Sequence, residues 1–132
     1  MKKVLLISMF GFYSLSSGFG SLVGDYNSKK CSVKILDLKK SSPVNYGIIF
    51  PEWKYQVVLY KKGKFDSEFI ISDDSKIYDS GDKITLEKTL YGDFSSTDYE
   101  LILYKNSTTL KKVVLYKENI IGLNSKQFSC SF

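Results

Sequence analysis

The sequence predicts an all-β protein, a small β-sandwich of about seven to eight antiparallel strands that follows an N-terminal signal peptide. Three observations carry this expectation. Short runs of Val, Ile, Leu and Tyr recur at spacings of roughly 8 to 15 residues, with turn-forming residues between them and no helical period. One stretch, Tyr99–Tyr116, reads as a β-hairpin, two apolar runs around the polar turn Asn106-Ser107-Thr108-Thr109 with neither Pro nor Gly inside them. The chain also contains no Ala, the best helix former, while β-forming residues abound.

Met1-Lys2-Lys3, the apolar run Val4–Leu15 and the small residues Ser16-Ser17-Gly18-Phe19-Gly20 follow the order of a secretory signal peptide. The apolar run is too short for the ~20 residues of a membrane-spanning helix. Gly18 and Gly20 fit the two small-residue positions of a cleavage site, which places the cut before Ser21 and makes residues 1–20 the signal peptide. Residues 21–132 then form a single domain, with secreted or periplasmic localisation and no membrane span after cleavage. Roughly 110 residues suffice for one core.

Losing Lys2 and Lys3 takes the formal net charge from +5 to about +3. Every basic residue is Lys and the charge is dispersed, so the arginine forks that read phosphates and guanine edges are missing and no nucleic-acid partner is expected. His is absent as well, which removes the usual general base, metal ligand and pH switch. Cys31 and Cys130, the two cysteines, read as a disulfide in an exported chain, with free thiols or bridges between chains as the alternatives.

Taken in order, Asp25–Lys30 is a polar lead, Cys31–Leu38 the first strand and Lys39–Pro43 a turn. Tyr46–Phe50 is a short apolar run stopped by Pro51, an edge or a bend, and the single Trp53 is placed at the core rim. Tyr55–Lys61 and Phe69–Ser72 are partner strands around a turn containing Gly63. Asp73–Asp82 is polar and turn-rich, with Ile77 and Tyr78 touching down within it. Lys83–Leu90 alternates as a strand with one buried face, and Asn124–Phe132 is a last short strand.

At Thr97-Asp98-Tyr99 the chain resembles immunoglobulin-like and fibronectin type III domains, in which Thr-x-Tyr opens a late strand and the tyrosine hydroxyl closes a corner. The resemblance covers three residues. Phe94 sits one place nearer the Tyr than the usual apolar residue, and Leu101 stands where antibody domains have Cys.

Candidate sites follow from strand parity. In an odd hairpin register Leu103 meets Val113 and Leu101 meets Leu115 on the core side. The other face then presents Ile102, Tyr104, Val114 and Tyr116 together, joined by Val58 and Tyr60 if their strand lies alongside. Such a face could dock a protein or carbohydrate partner, because Tyr brings large contact area at small entropic cost. Outer sheet faces also carry such residues for strand pairing alone.

The acidic loop Asp73, Asp74, Asp79, Asp82 could hold calcium or a paired-carboxylate hydrolase site, although Lys76 and Lys83 interrupt it and turn-forming is the commoner role. Without His, Ser-Lys is the only familiar nucleophile pairing left. Asn106-Ser107-Thr108 is a glycosylation sequon if the source is a eukaryote. The function expected is binding rather than catalysis, with no cofactor. A small secreted hydrolase or toxin, and a surface subunit that exchanges strands through the edge at Pro51, are the alternatives.

Overall fold

The computed structural model describes residues 19–106, 109–119 and 124–132. The signal-peptide expectation falls almost wholly outside them, as do Ser107 and Thr108 of the sequon. Nine strands are described, preceded by a 3₁₀ turn, Phe19–Leu22. Strands β1 (Gly24–Asn27), β2 (Cys31–Asp37), β3 (Trp53–Lys61) and β4 (Lys64–Ser72) form one antiparallel sheet. Strands β5 (Lys76–Asp79), β6 (Lys83–Tyr91), β7 (Ser96–Asn106), β8 (Thr109–Asn119) and β9 (Asn124–Ser131) form the other.

Each sheet is a meander whose neighbours in space are neighbours in sequence. That order lacks the Greek-key crossing of immunoglobulin domains. Thr97 and Tyr99 do open a late strand, but the Tyr99 ring lies between ammonium groups, 5.8 Å from Lys88 Nζ and 5.7 Å from Lys117 Nζ.

The core lies between the sheets and is built by period-two alternation. Val33, Ile35, Val57, Leu59, Phe69 and Ile71 meet Ile84, Leu86, Leu101, Leu103, Val113, Leu115 and Phe128. β3 departs from simple alternation, being buried continuously from Tyr55 to Leu59. Its second face is covered by the 38–52 loop, which hydrogen-bonds Gln56.

The β7–β8 hairpin has the odd register: Leu103 pairs with Val113 and Leu101 with Leu115. Asn106 pairs with Thr109 across two residues, and the odd count comes from a bulge. Lys105 pairs with Leu110 but Tyr104 pairs with Lys112, leaving Lys111 as the extra residue.

Three segments differ from expectation. The supposed polar lead contains β1, which is held by main-chain pairing with β2 and by Tyr26, whose hydroxyl donates to the Leu22 carbonyl at 2.7 Å. Ile77 and Tyr78 belong to a complete short strand, β5. Tyr46–Phe50 forms no strand: Asn45 adopts a left-handed φ of 68° and the run stays in the loop, its side chains exposed.

Cys31 and Cys130 are bonded, with Cα atoms 5.9 Å apart, and so tie β2 of one sheet to β9 of the other. Among the described residues no helix is long and apolar enough to cross a membrane.

The β3–β4 turn is a two-residue loop with positive φ at both Lys62 (53°) and Gly63 (79°), the type I′ geometry of tight hairpins. Lys is a poor occupant of its first position. Lys62→Asn is therefore expected to raise stability by about 0.5 kcal/mol in chemical denaturation, whereas Lys62→Val should lower it.

Candidate functional site

The strand registers sort the connections into two ends. At one end Trp53 pairs with Ser72, Tyr91 with Ser96 and Asn119 with Asn124. At the other lie the Lys61–Lys64 and Asn106–Thr109 turns and the disulfide. The second end is rich in exposed lysines: Lys29, Lys30, Lys61, Lys62, Lys64, Lys111 and Lys112. The first end carries an open groove, together with exposed apolar side chains.

The 38–52 loop is fixed to its sheet by one buried amide. Gln56 has no exposed surface. Its Nε2 donates to the Val44 carbonyl at 3.0 Å and to Glu68 Oε1 at 2.6 Å, and its Oε1 accepts from Val44 N at 2.8 Å. Tyr46 donates its hydroxyl to the other oxygen of Glu68. The Tyr46 and Phe50 rings meet the Trp53 ring edge-on at 5.1 and 4.9 Å. This anchored base leaves Ile48, Ile49 and Phe50 projecting, with Ile48 69% exposed.

On the second sheet Leu90 and Tyr91 end β6 and Phe94 lies in the turn to β7, with Tyr91 85% and Phe94 89% exposed. Between the 38–52 loop and the second sheet runs an open groove of about 850 Å³, walled by Tyr46 and Trp53 on one side and by Leu90, Tyr91, Tyr99 and Tyr116 on the other. Glu52, Asp74, Glu87, Asp98, Glu100 and Glu118 also line it, six carboxylates against two lysines, Lys76 and Lys88. The groove is therefore acidic although the whole chain is basic.

Lys88 forms part of its floor. Its Nζ donates to the Ile70 carbonyl of β4 at 3.1 Å and lies 4.6 Å over the Phe69 ring, so it bridges the sheets. Burial pushes this ammonium below the ordinary lysine range, while Asp74 and Glu68 act in the opposite sense.

Tyr46 is pushed up from 10.0 to about 12, chiefly because its phenol donates to Glu68 and also by burial. A raised pKa means that the Tyr46–Glu68 contribution to stability is complete below pH 10 and is lost as pH rises through about 12. In a phenolate absorbance titration, Tyr46→Phe is expected to remove one equivalent from the uppermost step. A titration with that step intact would contradict the assigned bond.

Of the five sheet-face candidates, Ile102, Tyr104, Val114 and Tyr116 share one face of the β7–β8 pair, as the odd register requires, but Tyr60 does not join them. Tyr60 is on β3, in the other sheet, so its strand does not lie alongside; it borders a 230 Å³ pocket with Asp25, Asn27, Ser32 and Lys34. Ile102 and Val114 are paired across β7–β8, and Val114 is only 3% exposed. Tyr104 is half-buried, with Lys83 and Lys112 ammonium groups 6.0 and 5.9 Å from its ring. Tyr116 is exposed, pairs with Glu100 and is the one of the five that reaches the groove.

The four aspartates do not converge either. Asp73 and Asp74 precede β5 and Asp79 and Asp82 lie at or after its end. Asp74 accepts from Ser72, Asp79 accepts from Gly81 N at 2.9 Å and Asp82 accepts from Ser80 at 2.9 Å, all turn-forming bonds. Among the described residues, no group of three or more His, Cys, Asp or Glu side chains is placed to hold a metal ion.

Sequence reasoning missed Ile48, Phe50, Tyr91 and Phe94 as site residues. The available signal was apolar residues crowded among chain-turning ones, in Gly47-Ile48-Ile49-Phe50-Pro51 and Tyr91-Gly92-Asp93-Phe94. No protein-family model, curated protein or solved structure matches the chain, so the chemistry of this end is read from its own residues.

Proposed function

We propose that the protein is an exported binding module that docks its partner at the loop end of the sandwich, across the acidic groove and the apolar tips beside it. The observation that carries this reading is the concentration of exposed apolar side chains there. Tyr46, Ile48, Ile49 and Phe50 on the 38–52 loop, Leu90 and Tyr91 at the end of β6 and Phe94 just beyond it all lie at the end that bears the cavity. Contiguous apolar surface rimmed by charge is the usual mark of an interaction site. The covalent tie at the opposite end supports export, since a disulfide of this kind persists in oxidising compartments.

A protein partner presenting Lys or Arg beside an apolar segment suits both the carboxylates and the tips. A carbohydrate partner is the second reading. It is favoured by the alternation of rings and carboxylates, Tyr46 and Trp53 near Glu52, and Tyr116 beside Glu100, since sugar faces stack on rings and hydroxyls donate to carboxylates. The sheet face itself contributes Tyr116.

The test places a photo-reactive phenylalanine analogue at Phe94 or, separately, at Phe132, which is 40% exposed and bonded through its amide to Lys111 near the basic end. Irradiation of the protein in the extracellular or envelope fraction should yield a defined adduct from position 94 and none from 132. The reverse pattern would move the docking surface to the other end.

A further inference from the structure

The first described residues are part of the core. Phe19 and Leu22 have no exposed surface. The Phe19 ring packs at 4.7 Å against Tyr55 and belongs to the same cluster as Val57, Phe69 and Leu86. The turn they form is closed by Val23 N donating to the Gly20 carbonyl at 3.3 Å and is fastened to β1 through Tyr26.

A cut before Ser21 would remove Phe19 and leave a ring-sized void against Tyr55, one of the costliest changes a small core can take. Small residues also stand two apart two residues upstream, at Ser16 and Gly18. We infer that the Gly18–Phe19 peptide bond is the signal-peptidase site, so that the mature chain begins with the buried Phe19 rather than with Ser21. Hydrolysis of that bond adds one water, giving a Gly18 carboxylate on the leader and a Phe19 amine on the exported chain. The inference rests on the reading of the protein as exported, and sharpens it to one bond.

The experiment is N-terminal sequencing and intact mass of the protein recovered outside the cytoplasm of its own cells. A chain starting at Phe19 supports the inference. A start at Ser21 or at another internal residue overturns it while leaving export intact, a chain retaining Met1 overturns cleavage altogether, and recovery from the cytoplasm alone overturns export as well.

A second measurement asks whether the exported core contains the ring. Phe19→Ala, introduced into the full gene, should yield exported protein melting about 10 °C or more below the parent. Equal melting temperatures would show that the core does not need the ring and would remove the reason for placing the cut upstream.

Discussion

Replacing Cys31 and Cys130 together by Ser is expected to lower stability by about 4 kcal/mol and the melting temperature by roughly 15 °C. The bond closes a loop of 99 residues, nearly all of the folded chain, so it restricts the unfolded ensemble far more than a short bridge would. A loss of that size is a large share of the total stability of a domain this small. The two sheets still share the apolar layer from Val33 and Leu59 across to Leu103 and Val113, so the variant should remain folded in the cold. The bond also lies at the end away from the groove, and partner affinity at low temperature should be unchanged. Denaturation by urea with and without reductant measures the effect. A fall of less than about 5 °C would mean that the native sheets, not the closed loop, hold the protein together.

Gln56→Leu is expected to cost about 2 to 4 kcal/mol, a large effect for one change of nearly constant volume. The substitution strands the amide and carbonyl of Val44 under the loop and takes from Glu68 the donor that balances Tyr46. The loss is not confined to stability. With Val44 released, the loop bearing Tyr46, Ile48 and Phe50 is no longer held against the sheet, so docking should weaken even at temperatures where the sandwich is fully folded. Amide hydrogen exchange reads this directly: protection at Val44 should collapse while protection at Leu59 and Leu103, inside the sheets, persists. Retained protection at Val44 would show that the loop is positioned by the Tyr46–Phe50–Trp53 ring contacts instead.

Much of the framework was legible in the sequence, for physical reasons that also explain what was not. The β7–β8 register could be read because Leu101, Leu103, Val113 and Leu115 satisfy a period of two, and a slip of one residue would turn them all to water. The pairing of Cys31 with Cys130 followed from there being two cysteines in a chain that reads as exported. β1 was hidden because Gly24-Asp25-Tyr26-Asn27 is held by backbone pairing to β2, which leaves no mark on side-chain pattern.

The site was less legible. Val58-Leu59-Tyr60-Lys61, Ile102-Leu103-Tyr104-Lys105 and Val114-Leu115-Tyr116-Lys117 share one pattern, which fixes which way each tyrosine points on its own strand but not which sheet the strand joins. Tyr60 therefore separated from the others. Ile48-Ile49-Phe50 has the composition of a strand, yet Asn45, Gly47 and Pro51 deny it a ladder, and an apolar run kept out of a sheet and out of the core becomes exposed surface. The groove depends on the 38–52 loop of one sheet meeting strands β6 to β8 of the other, a proximity that no local pattern encodes.

Docking at the loop end is tested most directly by comparing partner capture by the Tyr91→Ser/Phe94→Ser double variant with capture by Tyr104→Ser. Tyr91 and Phe94 are almost fully exposed, so the double variant should melt within about 2 °C of the parent. Its affinity should fall at least tenfold, roughly 1.4 kcal/mol or more, because exposed aromatic anchors carry a disproportionate share of binding energy. Tyr104→Ser, at the lysine-rich end, should retain affinity. Full binding by the double variant together with loss in Tyr104→Ser would place the partner on the opposite end of the sandwich and contradict the assignment.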